Sequence, residues 1–144
     1  LMSYNYGAKL KERMHQILKV SGLVIAAILG AGTLLFFIVP NVLLSLFNAS
    51  SGMLEIGETG LRILSLSFIV SSFGVLMSGV FEALGLGKYS LIVSLLRQLL
   101  ITVPLAYILL NVMGIEGIWL SFVIAEAIAS IVAYILYRKK FKTI

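Results

Sequence analysis

Between Lys19 and Glu55 the chain runs for 35 consecutive positions without a charged residue. A second gap of 19 uncharged positions separates Arg62 from Glu82. From Lys88 to Glu116 only Arg97 interrupts, and from Glu116 to Arg138 only Glu126. A buried strand uses about 4–8 residues, so runs of this length select helices, and a bilayer-crossing helix needs about 20 apolar residues. The pattern therefore predicts four transmembrane helices, over residues 20–44, 61–83, 89–110 and 117–137. The connections hold the expected breakers: Asn48, Ala49, Ser50, Ser51 and Gly52, then Gly85, Leu86 and Gly87, then Asn111 and Gly114. Composition agrees. Of 144 residues 60% are hydrophobic and 12% charged, against about 45–50% and 25% in soluble domains. A water-soluble globule is excluded.

The basic residues orient the spans. Nine of eleven fall on one side: Lys9, Lys11, Arg13 and Lys19, then Lys88, then Arg138, Lys139, Lys140 and Lys142. The opposite side carries Glu55, Glu58 and Glu116, with Arg62 alone near them. Positive charge stays inside, so both termini are predicted to be cytoplasmic. Three segments follow: a basic segment over residues 1–19, a four-helix bundle over 20–137 and a basic tail over 138–144. The net charge of +5 sits at the ends, where it suits anionic headgroups, and no basic surface for nucleic acid is apparent. No signal peptide is visible. The first residue is not Met and the opening residues read like the tail of an earlier helix, so the expectation is the C-terminal end of a longer polypeptide.

Helix faces carry the remaining information. In the first span Gly22, Ala26 and Gly30 form a small-residue ridge, for close packing or as a hinge. Pro40 marks either the outer interface or a kink. In the second span Ser67, Ser71, Gly74, Ser78 and Glu82 share one stripe, and Ser65, Ser72 and Gly79 another. One stripe can line a wet cavity, or all these serines can bond to their own backbone and pack. Glu82 lies one turn from the cytoplasmic end, within reach of headgroups. The third span puts Ser90, Ser94, Arg97 and Pro104 on one face, and Pro104 predicts a kink. Arg97 is about 12 Å deep at 1.5 Å per residue. It needs a partner, Glu82 or Glu126, unless it snorkels. In the fourth span Ala125, Ala129 and Ala133 form another small ridge beside Glu126, which is either a proton or cation carrier or the partner of Arg97. Trp119, Tyr107, Tyr134 and Tyr137 are expected as interfacial anchors. His15, the only histidine, has no second ligand nearby, and there is no cysteine. No nucleophile–base set, phosphate loop or metal spacing appears, so an enzyme is not expected.

Four motifs add a resemblance: Tyr4-Asn5-Tyr6-Gly7-Ala8-Lys9, Phe81-Glu82-Ala83-Leu84-Gly85, Leu96-Arg97-Gln98, and Gly114-Ile115-Glu116-Gly117-Ile118-Trp119. In this order the chain resembles the C-terminal third of a multidrug and toxic compound extrusion (MATE) transporter, a family of twelve helices in two six-helix lobes. The resemblance implies an all-α membrane fold in which the four spans are helices nine to twelve. It implies plasma-membrane antiport in which Na+ or H+ entry drives an organic, cationic small molecule outward, with no cofactor. The lobe would be completed by preceding helices of the same protein. Ser67, Ser71, Ser78, Glu82, Arg97 and Glu126 are then the cavity or gating residues. The second span departs from members with a coupling carboxylate at its middle, since Ser71, Ser72 and Gly74 stand there. Either the coupling-ion site then lies in preceding helices, outside these residues, or this subgroup couples differently. Competing readings are a lipid-linked oligosaccharide flippase of the same superfamily, a free-standing four-span assembly protein, and a small four-helix exporter acting as a dimer. The flippase needs a more cationic cavity, and the small exporter a carboxylate in its first span.

Overall fold

A computed structural model describes residues 1–141 of the chain, so Lys142 of the basic tail lies outside the described residues. The described part is helical throughout. A short helix α1 (Met2–Gly7) leads into α2 (Lys11–Ile38), α3 (Pro40–Ser45) and α4 (Ser51–Ala83). A third long helix, residues 87–113, is α5 (Gly87–Leu95) and α6 (Thr102–Met113) joined by a π turn (Leu96–Leu100), and α7 (Ile115–Phe141) follows. Four helices are long and apolar enough to cross a membrane: α2, α4, the third long helix and α7. Among the described residues the chain is all-helical, with four helices of membrane-spanning length and composition.

Two helices start well before the charge pattern predicts. The first begins at Lys11 rather than residue 20, and α4 at Ser51 rather than residue 61. Charge marks where hydrocarbon ends, whereas a helix continues into water as long as its backbone bonds continue. At 33 residues α4 is about 50 Å long, against a hydrocarbon core of about 30 Å. Its surplus carries Glu58 and Arg62, paired at 2.7 Å one turn apart. Pro40 ends the first span early. Without an N–H it cannot continue the ladder, so α2 stops at Ile38 and Pro40 becomes the first residue of α3.

The packing centre is the line where α4 meets α7. Ala125, Ala129 and Ala133 of α7 are fully buried, and the last two share a core with Met77, Val80 and Phe81 of α4 and Val93 of the third long helix. The two helices run parallel, with Trp119 on Gly60, Ser130 beside Gly74 and Phe73 near Tyr134. On its other side α4 holds α2. The Thr33 hydroxyl lies 2.9 Å from the carbonyls of both Leu29 and Ser65, and Phe36 meets Phe68 edge-on at 5.4 Å. Gly22 faces Leu76, but Gly30 faces open space and Ala26 is exposed, so the first span's ridge packs only at its N-terminal end. At the C-terminal end of α4 the Ser3 hydroxyl donates to the Ala83 carbonyl at 2.5 Å and ties α1 to the bundle. Lys9 reverses the chain between α1 and α2 with φ of 56°.

Candidate functional site: a polar groove beside the second and third long helices

An α-helix that faces only lipid has no use for polar side chains, because hydrocarbon offers them no partners. One exposed strip breaks that rule. Between α4 and the third long helix lies an open groove of about 330 Å³, lined by Val75, Ser78, Gly79, Glu82, Ser94, Arg97 and Gln98. Helical spacing builds it: Ser78 and Glu82 are one turn apart on α4, as are Ser94, Arg97 and Gln98 opposite. Val75 and Gly79 also line an apolar cleft of about 320 Å³ against α2. This edge of α4 is therefore open on both sides.

Each charge in the groove is tied from behind. Glu82 Oε1 accepts a hydrogen bond from the Ser90 hydroxyl at 2.7 Å. Arg97 Nε lies 3.4 Å from Glu126 Oε1 on α7, with the two side chains 20% and 15% exposed. The cation needs that partner, since an arginine at mid-span costs about 2.5–3.5 kcal/mol on insertion scales. Glu82, the other partner open in the sequence, is engaged by Ser90 instead. Among the described residues two buried oxygens lack a protein partner, Ser78 Oγ and Glu126 Oε2. The groove thus offers a donor–acceptor set of both signs, which suits water and a polar or charged solute. Among the described residues no three His, Asp or Glu side chains converge as a metal site does.

The serine stripe divides. Ser78 reaches the groove with Glu82 and Arg97. Ser67 and Ser71 lie outside it, buried, with hydroxyls donated to the carbonyls of Leu64 and Phe68 at 2.6 and 3.0 Å. On the second stripe, Ser65 and Ser72 bond backwards in the same way, to Arg62 and Ile69. The sequence also grouped Pro104 with Ser90 and Arg97. The structure separates them, because the π turn shifts the helix phase between them. Gln98 was missed as a lining residue, although the i, i+4 step from Ser94 contains it. The ring of Trp119, near the start of α7, lies on Gly60, with Nε1 buried and unpartnered.

A family profile described as MatE matches residues 1–108. Multidrug export protein MepA of Staphylococcus saprophyticus is 26% identical over 136 residues, covering 94% of this chain and 30% of that protein. MepA of Staphylococcus aureus strain N315 is 25% identical with the same coverage. A MOP superfamily transporter from Pyrococcus furiosus, reported with a binding pocket of reverse polarity that suggests a different function, superposes with a TM-score of 0.89. It is 25% identical and the match covers 98% of this chain and 32% of that one. A MATE family transporter solved in an inward-facing conformation gives a TM-score of 0.91 at 23% identity, over 99% of this chain and 34% of that one, and shares the fold. The chain spans about 30% of the length of the curated relatives it matches. Because the profile takes in 108 of its 144 residues, the chain belongs to the MatE family of transport proteins.

Proposed function

We propose that this chain supplies the last four helices, nine to twelve, of a multidrug efflux antiporter. The observation that carries the reading is the polar groove on an otherwise apolar face. Ser78, Glu82, Ser94, Arg97 and Gln98 stand where lipid would leave them unpartnered, so this face meets water or protein. In a MatE chain one third the length of its relatives, that face lines the central cavity and is closed over by the preceding helices. Ser78 and Glu82 contact the passing solute, an organic cation, while Arg97 and Glu126 act as a gating pair that sets the groove wall. Ser67 and Ser71 hold α4 in shape behind it. Na+ or H+ entry supplies the driving force from a site outside these residues, since α4 has no mid-span carboxylate. Both termini lie in the cytoplasm, as the nine basic residues on that side require, and the membrane is the plasma membrane.

The test uses the full-length protein that carries this chain, reconstituted into vesicles with a lipophilic cationic dye. An imposed Na+ or H+ gradient is expected to drive dye movement. Ser78→Leu, which fills the groove, is expected to slow the initial rate several-fold at unchanged folded yield. Absence of gradient-driven movement with both ions overturns the reading. Residues 1–144 alone are expected to move no dye, because the groove is left open along its length.

A further inference from the structure

The third long helix does not present one continuous face. In its outer half Thr102, Leu105, Ala106 and Leu109 are covered, while Val103, Pro104, Tyr107 and Ile108 are exposed. Carried inward at 3.6 residues per turn, that covered stripe falls on Gln98, Leu95 and Leu91. All three are exposed. By the same measure the inner half covers Tyr89, Ser90, Val93, Ser94, Leu96 and Arg97, a stripe centred one to two positions earlier in each turn. The phase slips by one residue, about 100° of rotation, inside the π turn.

The backbone shows how the slip is held. The Ile101 N–H donates to the Leu96 carbonyl five residues back, at 3.1 Å. The Thr102 hydroxyl donates to the Arg97 carbonyl at 2.5 Å, from a side chain only 4% exposed. Pro104 offers no N–H to the Leu100 carbonyl, so the ladder has no α bond there to recover. Without the slip, Gln98 in place of Arg97 would face α7 opposite Glu126. Ser90 would turn away from Glu82, and Val93, fully buried, would leave the core.

We infer that the π turn at Leu96–Leu100 is a one-residue register device that commits Arg97, rather than Gln98, to Glu126, and that Thr102 is the positioning residue that pins it. The device decides which side chain, a cation or a neutral amide, is paired behind the groove and which one enters it. Losing the pin turns the inner half of the helix as a unit, so the Arg97–Glu126 and Ser90–Glu82 contacts break together.

The experiment reads register without reading transport, again in the full-length protein. Gln98→Cys is labelled with a membrane-impermeant maleimide, and the site is located by peptide mapping. Adding Thr102→Val, which keeps the shape but removes the donor, is expected to slow labelling several-fold as position 98 turns toward α7. Thr102→Ser keeps the donor and is expected to label at the parental rate. Equal rates in all three proteins overturn the inference, and so does slowing by both substitutions. A Gln98→Cys protein that does not label at all counts against the aqueous groove; the register is then decided by deletion. Deleting Leu99 removes the extra residue and joins the two stripes into one α-helical face, so most of the folded yield is expected to survive size exclusion in detergent. Deleting Ile128, in the uninterrupted helix α7, turns Ala129 and Ala133 away from α4 and is expected to lose nearly all of it. The same comparison applies if the Thr102→Val protein does not fold. Loss of both deletion proteins, or survival of both, overturns the inference.

Discussion

α4 has two neighbours on its groove side of the bundle, and it meets them by different physics. Against α7 the contact is dry and close: three alanines without exposed surface, Gly74 against Ser130, and the Ser130 hydroxyl donated to the Val70 carbonyl at 3.1 Å. Against the third long helix the contact is polar and sparse. It rests on Ser90 with Glu82, leaves an open groove, and relies on Arg97 reaching past to Glu126. Lipid is as apolar as leucine, so burying leucine between helices gains little, and close approach of small residues supplies the packing instead. A polar contact in that medium adds less packing but is specific about its partner. The α7 seam gives the bundle its stability, and the polar boundary gives one wall its chemistry.

The contrast is sharpest where a charge is removed. Arg97→Ala leaves the Glu126 carboxylate without a counter-charge in a mostly buried position, and a loss of about 3 kcal/mol in unfolding free energy is expected. Adding Glu126→Gln should restore part of it. No coupling between the two substitutions in a double-mutant cycle would mean that Arg97 reaches the headgroups in solution. Next comes overpacking of the seam. Ala129→Leu forces α4 and α7 apart and is expected to cost about 2 kcal/mol, with folded yield as the simplest measure. The smallest effect is expected for Ser130→Ala, about 0.6 kcal/mol, typical of one interhelical hydrogen bond in a membrane protein. A seam that tolerated Ala129→Leu better than Ser130→Ala would reverse the assignment of roles.

The comparison also explains what could be read from the chain alone. Span number followed from charge-free runs, because the energetic cost of a charge in hydrocarbon is local and large. The alanine ridge of α7 was visible as a four-residue repeat and became the packing centre. Helix ends were less legible. Lys11, Arg13, Glu55 and Glu58 all lie within helices, and charge says nothing about where hydrogen bonding stops. Within the candidate site, the sequence identified Ser78, Glu82, Arg97 and Glu126 as polar groups in an apolar setting. It could not separate Ser78, whose Oγ has no protein partner, from Ser67 and Ser71, whose hydroxyls turn back to their own helix. Their periodicity is the same, and only the neighbouring helix decides. The π turn was hidden for a related reason. A fixed 3.6-residue period carries Pro104 onto the face of Arg97, and only the extra residue in the turn separates them.

The parallel pairing of α4 with α7 has a mechanical corollary. The helix that connects them in sequence lies alongside the pair rather than inside it, with Leu91, Leu95, Leu99 and Tyr107 turned outward. Torque applied to that helix is therefore resisted along one flank only.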